Sequence, residues 1–145
     1  MIKPFQYYIN QNLVKKSIPN TSMSKSLFEK SELRFKRLNK STVEENEASI
    51  IFEDIYECLR EASQSLMEVK GFKPYSHEAL ISFLNEHQLL SQEVINLMDN
   101  YRILRNNSIY KAEKVSLQKC LEALKFTKEV LPKINKKLKE LLNFS

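Results

Sequence analysis

The sequence predicts an all-α protein, an up-down helical bundle of about five to six helices. Three observations favour this fold class. The 145 residues contain one glycine and four prolines, and 42% are hydrophobic, whereas a sheet protein needs more turn residues. Apolar side chains recur at helical spacing through most of the chain. No repeat or low-complexity tract divides it, so we expect one domain over 1–145, in which 1–21 forms a short helix and a linker.

The first two predicted helices flank a proline. Residues 4–16 are expected to form a short helix, because Pro4 suits a first turn and apolar residues follow at helical spacing. Pro19 ends this helix. The second helix is expected from residue 22 or 24 to residue 38, with basic side chains outside its apolar stripe. That stripe comprises Leu27, Phe28, Leu33, Phe35 and Leu38.

The third predicted helix has the clearest apolar arc. It is expected to begin at Thr42, where Thr42 to Glu45 fits a capping box. It is expected to end at Gly71, the single glycine, in a Schellman-type stop. The inward arc comprises Ala48, Ile51, Phe52, Ile55, Tyr56, Leu59, Ala62, Leu66 and Val69. The opposite, charged side comprises Glu53, Asp54, Glu57, Arg60 and Glu61.

Serine residues mark the starts of the remaining helices. Serine is a preferred N-cap because its side-chain oxygen accepts a hydrogen bond from an unpaired N–H of the first turn. The three predicted helices follow Ser76, Ser91 and Ser116, and they end near residues 88, 110 and 142. Pro132 lies inside the last of them and is expected to kink it.

Composition and charge exclude several classes of protein. The net charge of +5 is compatible with a phosphate-bearing partner. No apolar run approaches the roughly 20 residues of a membrane span, and the N-terminus lacks the apolar region of a signal peptide. The expected compartment is therefore the cytoplasm. One glycine rules out a glycine-rich phosphate loop.

No cofactor or metal site is expected. The two histidines, His77 and His87, have no cysteine nearby and form no recognisable set of metal ligands. Cys58 and Cys120 lie on apolar faces of separate predicted helices, where buried thiols are expected, although a disulfide between them is an open alternative.

The helix after Ser91 carries an arginine inside its apolar arc. The arc comprises Val94, Leu97, Met98, Tyr101, Leu104 and Ile109. Arg105 falls within it, Arg102 lies at its edge, and Asn106 and Tyr110 lie further round. A guanidinium is rarely fully buried without a partner. Three interpretations stay open for Arg105: a carboxylate partner, a snorkelling side chain, or a wet cleft in which it binds an anion.

The run Arg105-Asn106-x-x-x-Tyr110 resembles the motif of HEPN domains. In that motif an arginine and a polar residue are followed by three variable residues and usually a histidine. Other segments are similar to prokaryotic HEPN-like proteins in the same order along the chain, namely 9–20, 56–62, 70–79, 101–106 and 115–116.

The resemblance implies a dimer of helical bundles with the arginine motifs of two subunits facing one cleft. Many HEPN proteins are metal-independent endoribonucleases, often toxins paired with a minimal nucleotidyltransferase. Arg105 would stabilise charge on the RNA phosphate, and Asn106 would orient the arginine or hold the cleft. Arg102, one turn earlier, could reach the same phosphate or pair with Asp99 or Asn106. Apolar residues on otherwise polar helix faces, Ile50 and Ile103, favour a homodimer.

Tyr110 occupies the position of the motif histidine. Three functional hypotheses follow, which differ in whether the protein is catalytic. A phenol with a pKa near 10 is a poor general base at neutral pH. The first hypothesis is RNA binding with endoribonuclease action at Arg105, Asn106 and Tyr110, as in a toxin component. The second is a non-catalytic HEPN module that binds a nucleotide or a nucleotidyltransferase. The third is a helical scaffold in which Arg105 is a structural ion-pair member.

Overall fold

Six α-helices and one small two-stranded sheet make up the described part of the chain, residues 2–40 and 42–143 of a computed structural model. The predicted all-α class is confirmed. The elements in chain order are α1 (Phe5–Asn10), β1 (Val14–Lys16), α2 (Thr21–Lys40), α3 (Ala48–Val69), β2 (Phe72–Pro74), α4 (His77–Glu86), α5 (Gln92–Tyr110) and α6 (Leu117–Leu142).

Helix α3 lies at the centre of the bundle. It packs against α2 and α6, and also contacts α4, α5 and β2. Most of its predicted inward arc is buried, and only Ile51 and Val69 remain partly exposed. Its other faces are largely covered as well. Buried residues there are Cys58, Glu61, Ser63, Ser65, Met67 and Glu68. The apolar arc was therefore predictable, but the enclosure of the whole helix was not.

The prediction that Glu61 faces solvent is wrong. Its side chain is fully buried between α2 and α3, where Arg34 Nε donates to Oε1 at 3.0 Å and Arg34 Nη2 donates to Oε2 at 3.3 Å. Lys30 lies 3.8 Å from the same carboxylate, and Arg34 also reaches Asp54 at 3.3 Å. The hydrogen bond to Glu61 raises the pKa of Arg34. A bidentate guanidinium–carboxylate pair is the arrangement that tolerates burial.

We expect Arg34→Met to lower the free energy of unfolding by about 3 kcal/mol, because it leaves the Glu61 carboxylate buried with only a distant lysine. The double variant Arg34→Met/Glu61→Met should recover most of that loss, since two packed apolar side chains need no partner. Urea denaturation followed by circular dichroism measures both values. A single variant as stable as the unmodified protein would contradict this role of the ion pair.

The predicted helix over 4–16 is half as long as expected. Helix α1 ends at Asn10, and Asn12 adopts a left-handed conformation with φ of 59°. The chain then continues as β1, which pairs antiparallel with β2 so that Val14 faces Pro74. The reason is tertiary, because the strand obtains its hydrogen bonds from a segment sixty residues away in sequence, which local periodicity cannot reveal.

Gly71 fixes the position of that strand partner. It lies just beyond α3 with φ of 85°, as the predicted helix stop requires. Its carbonyl accepts a hydrogen bond from Ser17 N at 2.7 Å. A Cβ atom at this position would stand 2.6 Å from Ser17 O, so a larger residue would displace the backbone of the neighbouring segment.

The predicted stripe of α2 is partly wrong. Leu33 is 62% exposed, whereas Ser24 and Ser31 are buried against α3. The hydroxyl of Ser24 donates to Ser65 O and that of Ser31 to Cys58 O, both at 2.8 Å. Small side chains with satisfied hydroxyl groups therefore occupy the contact of α2 with α3, and Leu33 lies outside it.

The start of the third helix also differs from the prediction. A 3₁₀ turn, Glu45–Glu47, precedes α3, and the capping box is made by Glu44 and Glu47 rather than from Thr42. Glu47 Oε1 accepts from Glu44 N at 3.1 Å.

The later helix boundaries agree with the sequence. Ser91 and Ser116 accept hydrogen bonds from Val94 N and Lys119 N, and Ser76 is the N-cap of α4. Pro132 lies inside α6, which continues on both sides of it. Both cysteines are buried free thiols. None of the helices among the described residues has the length and apolarity to cross a bilayer.

Candidate functional site

The face that α5 buries is rotated slightly from the predicted arc. Ile95, Met98, Tyr101 and Ser108 are buried. Two members of the predicted arc face outward instead: Leu97 is 38% and Ile109 is 41% exposed. Arg105 stays on the inward side and is partly buried.

Arg105 has an amide and an aromatic ring as neighbours. Its Nη1 donates to Asn106 Oδ1 at 3.0 Å, and its Cζ lies 5.8 Å from the centre of the Tyr56 ring. Within residues 2–40 and 42–143, no carboxylate oxygen lies within 4.0 Å of a nitrogen of Arg105. The open alternative of a carboxylate partner is therefore not found for Arg105 among the described residues. A guanidinium over a ring face, with spare donors, can accept an anion.

Arg102, in contrast, is an ion-paired residue. Its Nε donates to Asp99 Oδ1 at 2.7 Å, and its Nη1 lies 3.6 Å from Glu78 Oε1 of α4. The side chain is 13% exposed. Two carboxylates balance its charge, so its alternative role as a partner of Asp99 accounts for its position. It supports the site electrostatically rather than offering a free cation.

Tyr110 does not join the other predicted site residues. It is the last residue of α5, is 75% exposed, and points about 140° away from Arg105 around the helix. Arg105 and Asn106 are brought together, but the residue in the histidine position of the motif is not.

His77 also lies at this site, although the sequence predicts for it only that it forms no metal site. It opens α4 and places Nδ1 3.2 Å from the hydroxyl of Tyr56, with the two rings nearly parallel. Burial, followed by the neighbouring cations Arg105 and Arg60, lowers the pKa of His77 to about 4. The imidazole is therefore neutral at pH 7. The adjacent Glu57 opposes this shift, and Arg102 adds to it.

Tyr56 connects α3 to both other helices of the site. It is 5% exposed, and burial raises its pKa to about 12 although Arg105, Arg102 and Arg60 oppose the shift. Its hydroxyl stays protonated at neutral pH. Arg60, one turn further along α3, is bound to Glu57 and donates to Gln64 Oε1 at 2.6 Å. We call Tyr56, His77, Arg105 and Asn106 the Arg105 site.

The sequence offered one sign that Tyr56, Arg60 and His77 could lie near Arg105. Tyr56 and Arg60 are four positions apart on a single helix, and they lie in a segment that resembles HEPN-like proteins. His77 follows the only glycine by six residues, in another such segment. What the sequence could not supply is the packing of α4 against α3, which brings the imidazole to Tyr56.

Comparisons with protein-family models, curated proteins and solved structures find no match for this chain. The HEPN assignment therefore stays a prediction from the motifs quoted above. Among the described residues, no group of three or more histidine, cysteine or acidic side chains is arranged to hold a metal ion.

The pKa of His77 gives a direct readout of the Arg105 site. We expect Arg105→Gln to raise this pKa, because the neutral amide removes a cation that disfavours the imidazolium. Titration of the imidazole C–H signals by NMR measures the shift. The matched change Lys128→Gln, at an exposed position of α6, should leave the His77 pKa unaltered.

The same pKa fixes the sign of a pH effect on stability. Between about pH 6.5 and pH 4 the unfolded chain binds a proton at His77 that the folded chain does not, so this contribution to stability falls as the pH falls. His77→Gln should remove this dependence of stability on pH.

An unchanged His77 pKa in Arg105→Gln would contradict the placement of the guanidinium beside the ring.

Proposed function

We propose that this chain is a HEPN-type RNA-binding protein in which Arg105 holds a backbone phosphate. The observation that carries the proposal is the Arg105 guanidinium, partly buried on the inward face of α5 without a carboxylate partner in residues 2–40 and 42–143. The neighbouring arginines differ from it, because Arg102 and Arg60 each have acidic partners.

The surroundings of Arg105 suit a phosphate group. The Cζ of Arg105 lies 5.8 Å from the centre of the Tyr56 ring, within the range of a cation–π interaction, and its donors not used by Asn106 are free for an anion. Asn106 fixes the orientation of the guanidinium. Guanidinium N–H groups pair bidentately with phosphate oxygens. The net charge of +5 adds a general attraction to nucleic acid.

Cleavage of the bound RNA is the second step of the proposal, with His77 in place of the motif histidine. The 2′-hydroxyl oxygen loses its proton to a base and attacks the adjacent phosphorus, and the bond to the 5′-oxygen breaks. The 5′-oxygen takes a proton from water, so a 2′,3′-cyclic phosphate and a 5′-hydroxyl end remain. His77 is unprotonated at pH 7, as an acceptor of the hydroxyl proton must be, and its pKa of about 4 makes it a weak base in the free protein. A phosphate on Arg105 offsets the cation beside the ring and makes the imidazole more basic. Such an activity suits a toxin component.

Self-association is the third part of the proposal. Ile103 on α5 is 45% exposed and Ile50 on α3 is 65% exposed. Exposed aliphatic side chains on α3 and α5 favour a two-fold homodimer. Ile103 lies about 160° from Arg105 around α5, so an interface through Ile103 would not bring two Arg105 sites into one cleft. Pairing with a minimal nucleotidyltransferase would use the same surface in the non-catalytic alternative.

RNA binding and cleavage test the first two parts together. We expect Arg105→Ala to weaken binding of single-stranded RNA about tenfold or more, equally for different sequences, and to lower the salt slope by about 1. Fluorescence anisotropy at several salt concentrations measures both quantities. In EDTA, the unmodified protein should leave 2′,3′-cyclic phosphate ends, and His77→Gln should abolish them while RNA still binds.

The comparison variants separate the alternatives. Lys128→Ala removes one exposed cation and should change the affinity little, whereas Tyr110→Phe should leave both activities intact. RNA binding without cleavage supports the non-catalytic module. Equal affinities of Arg105→Ala and Lys128→Ala for RNA, with the fold retained by circular dichroism, would exclude a phosphate site at Arg105.

We expect light scattering after size exclusion to give the mass of a dimer, and Ile103→Asp to give that of a monomer, because a buried carboxylate opposes the interface. Leu33→Asp, which alters a 62% exposed leucine on α2, is the matched control and should remain dimeric. A monomeric unmodified protein refutes the proposed homodimer.

A further inference from the structure

A groove separate from the Arg105 site runs between α2 and α6. Its volume is about 600 Å³, within the range of small-molecule sites. Phe35 of α2 and Pro132 of α6 form its apolar walls, and the nearly buried Leu131 lies beside them. Phe35 is half-buried and Pro132 is exposed, so both rings present apolar surface to the groove.

Three lysines give this groove a positive rim. Lys36 belongs to α2, and Lys136 and Lys139 belong to α6. Glu32 is the one acid among the described residues of the lining, so three lysines against one glutamate leave a net charge of +2. All three lysines are exposed, and no described carboxylate lies within 4.0 Å of their amino groups. We call them the rim lysines.

The polarity of the lining changes along α6. Leu131 and Pro132 lie at one end of the groove and Lys136 and Lys139 at the other, and together they span about 12 Å of helix at the usual rise per residue. Lysine stems add to the apolar wall, since their methylene groups can lie along an alkyl chain while the amino group stays in water. Apolar surface that ends in cations is complementary to a molecule with an apolar chain and an anionic head.

We infer that the α2–α6 groove binds a free fatty acid, with the alkyl chain along Phe35 and Pro132 and the carboxylate among the rim lysines. A single chain with one anionic head uses both parts of the groove. A small inorganic anion would use the rim lysines but leave the apolar walls in contact with water.

Two larger occupants fit the groove less well. A standard protein–protein interface covers about 800 Å² of each partner, whereas this groove lies within residues 32–39 of α2 and 131–139 of α6. Binding to a bilayer requires apolar side chains that enter the headgroup region, and Phe35 is half-buried between two helices. A slender free chain reaches this surface, and a flat membrane does not.

Titration with octanoate, decanoate and dodecanoate, each below the concentration at which it forms micelles, tests the inference. We expect saturable binding by calorimetry, with NMR shifts of backbone amides within 32–39 and 131–139. The affinity should rise by up to about fourfold for each added CH₂ that the groove covers, and level off once the chain is longer than the groove. Decylammonium has the same chain as decanoate with a cationic head, and it should bind about tenfold less tightly because the rim lysines repel it.

Pro132→Gln tests the apolar wall without endangering the fold. A proline inside a helix removes a backbone hydrogen bond, so glutamine at this position favours α6 while it replaces an apolar ring with a polar side chain. We expect this variant to melt at a higher temperature and to bind decanoate about fivefold less tightly. Leu121→Gln is the matched control, because it alters a 47% exposed leucine of α6 outside the groove, and it should bind decanoate normally.

The lysine variants address the carboxylate. Lys36→Gln/Lys139→Gln should weaken decanoate binding about tenfold and reduce its dependence on salt. Lys125→Gln/Lys128→Gln, at exposed positions of α6 outside the groove, should change neither property. Arg105→Ala should bind decanoate as the unmodified protein does, which separates this site from the proposed RNA site.

Three results would overturn the inference. The first is the absence of saturable decanoate binding, including the case in which the protein binds anionic phospholipid vesicles but not free decanoate. The second is equal affinity for decanoate and decylammonium. The third is an equal loss of affinity in the two double lysine variants, which would mean that decanoate responds to the overall charge of the protein and not to the groove.

Discussion

The enclosure of α3 is the constraint on which the rest of the bundle depends. A helix covered on nearly every side can carry polar groups only where neighbours pair them. Glu61 is held by Arg34 of α2, and Ser65 by the hydroxyl and carbonyl of Ser24. Each of these bonds fixes one neighbouring helix against α3 in a single register. These paired polar groups are therefore accommodated in the core, and they also determine how the helices pack against α3.

The same enclosure produces the electrostatics of the Arg105 site. Tyr56 is buried because α3 is central, and burial raises its pKa and keeps its hydroxyl protonated. His77 is brought to α3 by the start of α4, where burial and three nearby arginines lower its pKa and keep it neutral. The result is a cation beside two neutral polar rings. Arg60 and Arg102 are each paired with a carboxylate. Of these three arginines, Arg105 is the one without an acidic partner among the described residues.

What the sequence predicted is what short-range chemistry determines. The caps at Ser91 and Ser116 and the stop at Gly71 depend on a few adjacent residues, and all three are present. Strand β1 and the burial of Ser31 depend on distant partners, so periodicity predicted a longer helix and a different stripe. The site divides in the same way. Arg105 and Asn106 are neighbours on one helix, whereas His77 reaches Tyr56 only through packing.

Two groups in this structure lack the partner that their burial calls for, and they differ in how much solvent compensates them. Arg105 is partly exposed, so water hydrates its free N–H groups and its retention costs little stability. The Oδ1 of Asn135 has no such access, and its unpaired state costs more. Arg105 can therefore be kept without an acidic partner at little cost, whereas Asn135 destabilises the part of the bundle in which it lies.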